Sequence, residues 1–401
     1  QFDGADGEDT ITLIGTSAAE TFLFTPNTAR MTRTGFTVSA VNVERMIADG
    51  SGGLDAAQLY DSAGDDVLEI RPGHATMSGP GYSYDLTNVA FVHGYASLGN
   101  DSADLYGTPG DDSLTATQTE ARLNSTNYVA RAKFFDRVRV FADGGTDDAT
   151  ITGSNGADAI QARPTATTVS NASVEISVSD FQNVTILGGG GDDVAQLYDS
   201  PDNDLFVAKP GLSTLSGPGY SITVQDVPIV HAYALAGGLD AAQLYDTAGD
   251  DLVVMTPEYT RITGSNYLAR AKFFDFVHAY SANGGFDTAK LYGSAGNDVL
   301  TATPEFSRLK GPGFYNRAKF FERVEVYGGG GYDTGNVWDS AGVEHLQANS
   351  LEALLQNPDL PYYVYLTQME KVKVRATSPS NTKHIEGVVD WLIAKGFWTD
   401  V

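Results

Sequence analysis

Short runs of alternating apolar and polar residues fill the chain, the period-two pattern of strands with one buried face. Clusters such as Ser-Ala-Gly-Asp, Gly-Pro-Gly and Gly-Gly-Gly divide the runs, and these are turn formers. The runs fall into columns. Leu13, Leu59, Leu105, Ile151, Leu197, Leu244, Leu291 and Val337 form one. Each stands four residues after an acid in the series Asp9, Asp55, Asp101, Asp147, Asp193, Asp240, Asp287 and Asp333, spaced by 46 or 47 residues. A second acid follows the first at a constant offset: Glu20, Asp66, Asp112, Asp158, Asp204, Asp251, Asp298 and Glu344. Eight units at a fixed period mean a repeat architecture.

The pattern predicts an all-β fold, with no helical periodicity before residue 350. Two architectures accept a unit of this length. One is a right-handed parallel β-helix, a solenoid in which each unit makes two coils of about 23 residues, since the Leu column and an aromatic column (Tyr82, Tyr128, Tyr220, Tyr267) are offset by half a unit. The other is an eight-bladed β-propeller. The solenoid is favoured because the units begin and end in nearly the same phase. The repeat domain is expected over 1–376 and a terminal segment over 377–401. Ser350 to Gln356 reads as a short helix. His384 to Lys395 reads as a second, with Ile385, Val388, Val389, Leu392 and Ile393 on one face. Such a tail suits a helical cap over the open apolar end, or a docking element in which Trp391, Leu392, Phe397 and Trp398 meet the next subunit.

Composition narrows the function. The 401 residues carry a formal net charge of −26, which argues against nucleic acid and anionic membrane surfaces as partners. No apolar run is long enough to span a bilayer. With no cysteine there are neither disulfides nor thiolate metal sites. The chain begins at Gln1, which is expected of a secreted protein whose leader has been removed.

Gly293 to Leu300 (GSAGNDVL) and Gly107 to Leu114 (GTPGDDSL) resemble the glycine- and aspartate-rich nonapeptide of haemolysin-type (RTX-like) calcium-binding repeats. Gly328 to Asp333 and Gly188 to Asp193 match its glycine-rich half. The tandem LYDSAGDD units are also similar to repetitive secreted β-solenoid proteins of planctomycete-type bacteria. The resemblance implies Ca²⁺ held at turns and an extracellular or cell-surface address. Equivalent aspartates of successive units, two coils apart, are too distant to share an ion. Ligands would have to come from one turn, such as Asp61, Asp65 and Asp66, or Asp246, Asp250 and Asp251. Asp111, Asp112, Asp298 and Asp333 are further candidates. The competing reading is that these aspartates cap their own turns by accepting backbone N–H groups.

Catalysis is not expected. His93, His231 and His278 share a column with Arg139, Thr185, Glu325 and Lys373, which marks an outward, solvated position. The motif RAKFF recurs at Arg131, Arg270 and Arg317, where the cations either pair with neighbouring acids or line an anionic polysaccharide groove. No nucleophile elbow, HExxH motif or phosphate loop is present. The expectation is a non-catalytic extracellular structural protein, a self-associating subunit of a surface layer, fibre or adhesin. The alternative is a carbohydrate-active or carbohydrate-binding β-helix protein acting on anionic polysaccharide, and a third reading is a propeller scaffold that binds a partner.

Overall fold

In the computed structural model, which describes residues 1–401, the chain is all-β and forms a solenoid of parallel stacked strands without a helix. Each repeat makes five strands. In the second these are Ala56–Tyr60, Val67–Arg71, His74–Gly79, Tyr82–Thr87 and Phe91–Tyr95. Alternation buries every second residue, Ala57 and Leu59, then Leu68 and Ile70, then Met77, each at most 1% exposed. Burying side chains of this size contributes on the order of 2 kcal/mol each.

The chain divides into two compact units, residues 1–193 with 219–225, and residues 194–218 with 226–401. Both have the same two-sheet build. In the first unit, Ala56–Tyr60 and Phe91–Tyr95 lie side by side and parallel in one sheet, with Ala57 opposite Val92. The three strands between them form an antiparallel meander in the other sheet. The next repeat exchanges the sheets, so that Ser102–Tyr106 pairs in parallel with Val67–Arg71. In the second unit, Ala241–Tyr245 pairs with Phe276–Tyr280, the meander runs through Leu252–Met255, Tyr259–Gly264 and Tyr267–Lys272, and Thr288–Tyr292 then pairs with Leu252–Met255. The propeller alternative fails, because within each unit the strands of successive repeats share hydrogen-bonded sheets.

The expected division of each unit into two equal coils is also corrected. The parallel partners are Ala57 with Val92 and Val92 with Ala130, steps far longer than such a coil. Gly79-Pro80-Gly81-Tyr82 closes a hairpin within one sheet instead of turning a corner; Gly81 has a φ of 79°. Leu59 and Tyr82 therefore lie in opposite sheets. The sheets pack closely: the Phe24 and Tyr84 rings, one from each sheet, are 5.4 Å apart. A Cβ on Gly94 would come within 2.3 Å of the Leu68 side chain, which explains a glycine in mid-strand.

The C-terminal helices are not formed. Residues 350–356 contribute to the strand Glu352–Asn357, held antiparallel between His345–Ala348 and Tyr362–Thr367. Ala353, Leu355 and Asn357 are its buried positions, a period of two. Beyond 377 the winding continues. Thr382–Ile385 pairs with His345–Ala348, and Leu392–Gly396 pairs with Lys371–Ala376. The open strand edges supply unpaired N–H and C=O groups, and satisfying them overrides a weak local helix preference.

Candidate functional site

The turns that enter each repeat are built from carboxylates. The second acid of each repeat closes its own turn onto a Ser or Thr four residues earlier. Asp66 accepts the Ser62 N–H at 3.2 Å and its hydroxyl at 3.1 Å, Asp112 accepts the Thr108 N–H at 2.8 Å, and Asp298 accepts the Ser294 N–H at 2.6 Å. The first aspartate of the following repeat then accepts the backbone N–H of that acid. The pairs are Asp66 N to Asp101 Oδ1 at 2.9 Å, Asp112 to Asp147 at 2.7 Å, Asp251 to Asp287 at 2.7 Å and Asp298 to Asp333 at 2.8 Å. Exposed Asp65, Asp111 and Asp250 form an outer layer, accepting the N–H groups of Asn100, Thr146 and Phe286. Asp66, Asp112, Asp251 and Asp298 thus cap their own turns, whereas Asp61, Asp65, Asp111, Asp246, Asp250 and Asp333 accept backbone N–H groups of the neighbouring coil.

One further column separates the turns into two kinds. Four repeats carry Gly15, Gly107, Gly153 or Gly293 five residues before the second acid, and four carry Asp61, Asp199, Asp246 or Asp339. The aspartates add a third carboxylate. In two repeats the result is a tight cluster, Asp61–Asp66–Asp101 and Asp199–Asp204–Asp240, with one oxygen of each carboxylate within 4.8 Å of the others. All but the half-buried Asp61 are buried. Burial and the neighbouring carboxylates push Asp101 and Asp240 up to about 6, and burial raises Asp61.

The other two repeats place an amide beside the added aspartate. Asn283 Nδ2 donates to Asp246 Oδ1 at 2.9 Å, and Ser281 Oγ donates to Asp287 Oδ2 at 2.6 Å. In the eighth repeat Asn381 stands where the third aspartate would be, and its Nδ2 donates to Asp339 Oδ2 at 2.9 Å. Ala96 and Leu98 in one tight cluster, and Ala234 and Ala236 in the other, occupy the positions of Ser281 and Asn283, so these clusters lack the asparagine amide. Their donors are hydroxyls and backbone N–H groups, Ser97 Oγ to Asp61 at 3.0 Å and Tyr82 Oη to Asp66 at 2.6 Å in one, Ser200 Oγ to Asp204 at 3.0 Å and Ala236 N–H to Asp199 at 2.9 Å in the other. Three carboxylates this close repel strongly unless a proton or a cation sits among them. The donors are all hard oxygens, so these buried aspartate clusters can hold a metal ion.

Of the residues expected to ligate metal, Asp61 and Asp66 are brought together; Asp65, Asp111, Asp112, Asp246, Asp250, Asp251, Asp298 and Asp333 lie outside the two tight clusters. Sequence reasoning missed Asp101, Asp199, Asp204 and Asp240 as cluster members. The coincidence of an LYD triplet with the two aspartate columns was the available signal. At the C-terminus, Trp391 donates its indole N–H to Asn349 O, Leu392 is buried in its strand, and Trp398 donates to Lys395 O. Phe397 stays 62% exposed. No protein-family model matches the chain, and no curated protein matches it.

Proposed function

We propose that the chain is a non-catalytic extracellular structural protein, a subunit of a surface layer, fibre or adhesin, whose stiffness is raised by Ca²⁺ at Asp61–Asp66–Asp101 and Asp199–Asp204–Asp240. The observation that carries the ion reading is the division among the four turns with an aspartate at the position of Asp61, Asp199, Asp246 and Asp339. Two place an amide, Asn283 or Asn381, against the added aspartate, and the other two have no asparagine at that position and bring three carboxylate oxygens within 4.8 Å. Ca²⁺ takes six to eight oxygen ligands, so three carboxylates would leave positions for backbone carbonyls and water. The structural role draws its support from uniformity: the acids serve the same turn bonds in repeat after repeat. A catalytic group would need a local departure from that pattern.

The test is thermal unfolding and calorimetric titration with Ca²⁺ against chelator. Ca²⁺ is expected to bind with a stoichiometry of about two and raise the unfolding temperature, because a ligand selective for the native state stabilises it. Asp101→Asn with Asp240→Asn, copying Asn381, should remove the response and leave the fold intact. A Ca²⁺ response that survives both substitutions would overturn the assignment. Self-association is read by electron microscopy, where end-to-end filaments are expected and Phe397→Ser should shorten them; monomers alone would count against the assembly reading.

A further inference from the structure

Strand register on the outer surface of the second unit assembles a group that the sequence scatters across two repeats. Gln196, His231 and Arg270 stand side by side on three parallel strands, and the antiparallel neighbour adds Arg261. The adjoining row is Tyr198, Tyr233, Lys272 and Tyr259. The arrangement recurs on the unit's other sheet as Gln243, His278, Arg317 and Arg308, beside Tyr245, Tyr280, Lys319 and Phe306. Each face thus sets three cations among aromatic rings, with no acid in either row, on a chain whose net charge is −26.

These cations lack a carboxylate partner: Arg270 donates to the Tyr233 hydroxyl at 3.0 Å, Arg308 donates to Thr301 Oγ1 at 2.9 Å, and Arg317 lies over the Phe306 ring. Nε of Arg261, Arg270, Arg308 and Arg317 is buried without a hydrogen-bond partner, as is Nδ1 of His231. The first unit shows the closed form of the same face. There the row reads Gln58, His93, Arg131 and Arg122, beside Tyr60, Tyr95, Lys133 and Glu120. Glu120 grips Arg131 in a bidentate pair, 2.9 and 2.8 Å. Tyr259 and Phe306 occupy the place of Glu120, so Arg270 and Arg317 have no such carboxylate.

Backbone strain recurs beside all three faces, the open and the closed alike. Phe273 and Phe320 have φ values of 68° and 70°, as does Phe134 beside the closed face at 68°, in a column where other repeats place Asn88, Asp226 or Gln368. A bulky residue is costly in this left-handed region. The Phe273 and Phe320 rings are exposed, at 43% and 46%, under the ammonium groups of Lys272 and Lys319.

We infer that these two faces bind an acidic polysaccharide. Planar guanidinium groups match sugar carboxylates in bidentate fashion. The neutral imidazoles, Gln amides and Tyr hydroxyls supply hydrogen bonds to ring hydroxyls, and the exposed Phe rings offer apolar surface to a sugar face. Few cations per face suit a polymer with one carboxylate per sugar; duplex nucleic acid, far more densely charged, would meet net repulsion. The inference needs neither bound Ca²⁺ nor assembly.

The experiment is calorimetric titration of the full chain with polygalacturonate in the presence of chelator, with dextran and duplex DNA as parallel probes. Polygalacturonate is expected to bind in a salt-sensitive way, and dextran and DNA are not. Tyr259→Glu with Phe306→Glu copies the Glu120 arrangement, which the fold already accommodates; it should weaken binding by about ten-fold or more without lowering the unfolding temperature. Arg270→Gln with Arg317→Gln should do the same. The inference is overturned if the unaltered chain does not bind polygalacturonate, if it binds DNA as well, or if the Glu variant binds undiminished.

Discussion

The turn at Asp240 and the turn at Asn381 occupy the same place in their repeats, yet they treat charge differently. At the first, Asp199, Asp204 and Asp240 crowd three buried carboxylates within 4.8 Å. At the second, an amide replaces the third carboxylate and donates to Asp339 at 2.9 Å, while its oxygen accepts the Glu344 N–H at 3.0 Å. The backbone bond is kept in both, since Asp240 Oδ1 accepts the Asp204 N–H at 2.8 Å. What differs is the electrostatic state. One turn sets an amide against two carboxylates; the other holds three carboxylates, served by the Leu235 and Ala236 N–H groups and the Ser200 hydroxyl but by no side-chain amide at that position. The backbone function of the column and its charge are therefore separable, and one atom, oxygen or nitrogen, separates them.

The largest effect should come from forcing a third kind of turn into either scheme. A Cβ on Gly293 would lie 1.8 Å from the carbonyl oxygen of Gly328. Gly293→Asp should cost about 4 kcal/mol, read by urea unfolding, since both backbone and charge must be displaced. Asn381→Asp would convert the amide-bearing turn into the crowded one. A loss of about 3 kcal/mol in chelator is expected, for a buried carboxylate without a counter-charge. Ca²⁺ should restore part of it.

Titration tests the comparison without mutation. The folded-state pKa of Asp101, Asp240 and Asp287 lies near 6, above the value of about 4 in an unfolded chain. Between these values the native state holds more protons than the unfolded one. Stability in chelator should therefore fall as pH rises from about 4 to about 6, by on the order of 2 kcal/mol per site, and level off above. Ca²⁺ should flatten the slope at the two tight clusters, because it binds the ionised form. The smallest effect is expected from Asp240→Asn, a gain of about 1 kcal/mol in chelator at neutral pH, as the new amide replaces repulsion with a hydrogen bond. A loss instead would mean that the crowded turn is already relieved by other groups.

Much of the fold was legible in the residues. The beat of 46 or 47, the strand alternation and the two acid columns all appear as expected, because each is a local matter of period and turn chemistry. The half-unit coil was not borne out, since Leu59 and Tyr82 are related by a hairpin and not by stacking. The helix expected at 384–395 also failed: its apolar spacing allowed a helix, but the sheet edge at Lys371–Ala376 required a strand. Of the candidate sites, the turn aspartates were found but their grouping was not. The outer rows stayed hidden because His231 and Arg270 come together through register alone.

By itself, the order of residues decided that the chain would be strands and turns, repeated eight times, with carboxylates at every entry. Those features depend on contacts within a few residues: side-chain alternation across a pleat, and an acid closing onto the hydroxyl and N–H four positions earlier. Tertiary structure alone decided which distant strands became neighbours, which three carboxylates met, and which cations lined up without a carboxylate partner. Pairing between sheets is a competition among distant edges for the same hydrogen bonds, and its outcome depends on where every other strand has already gone.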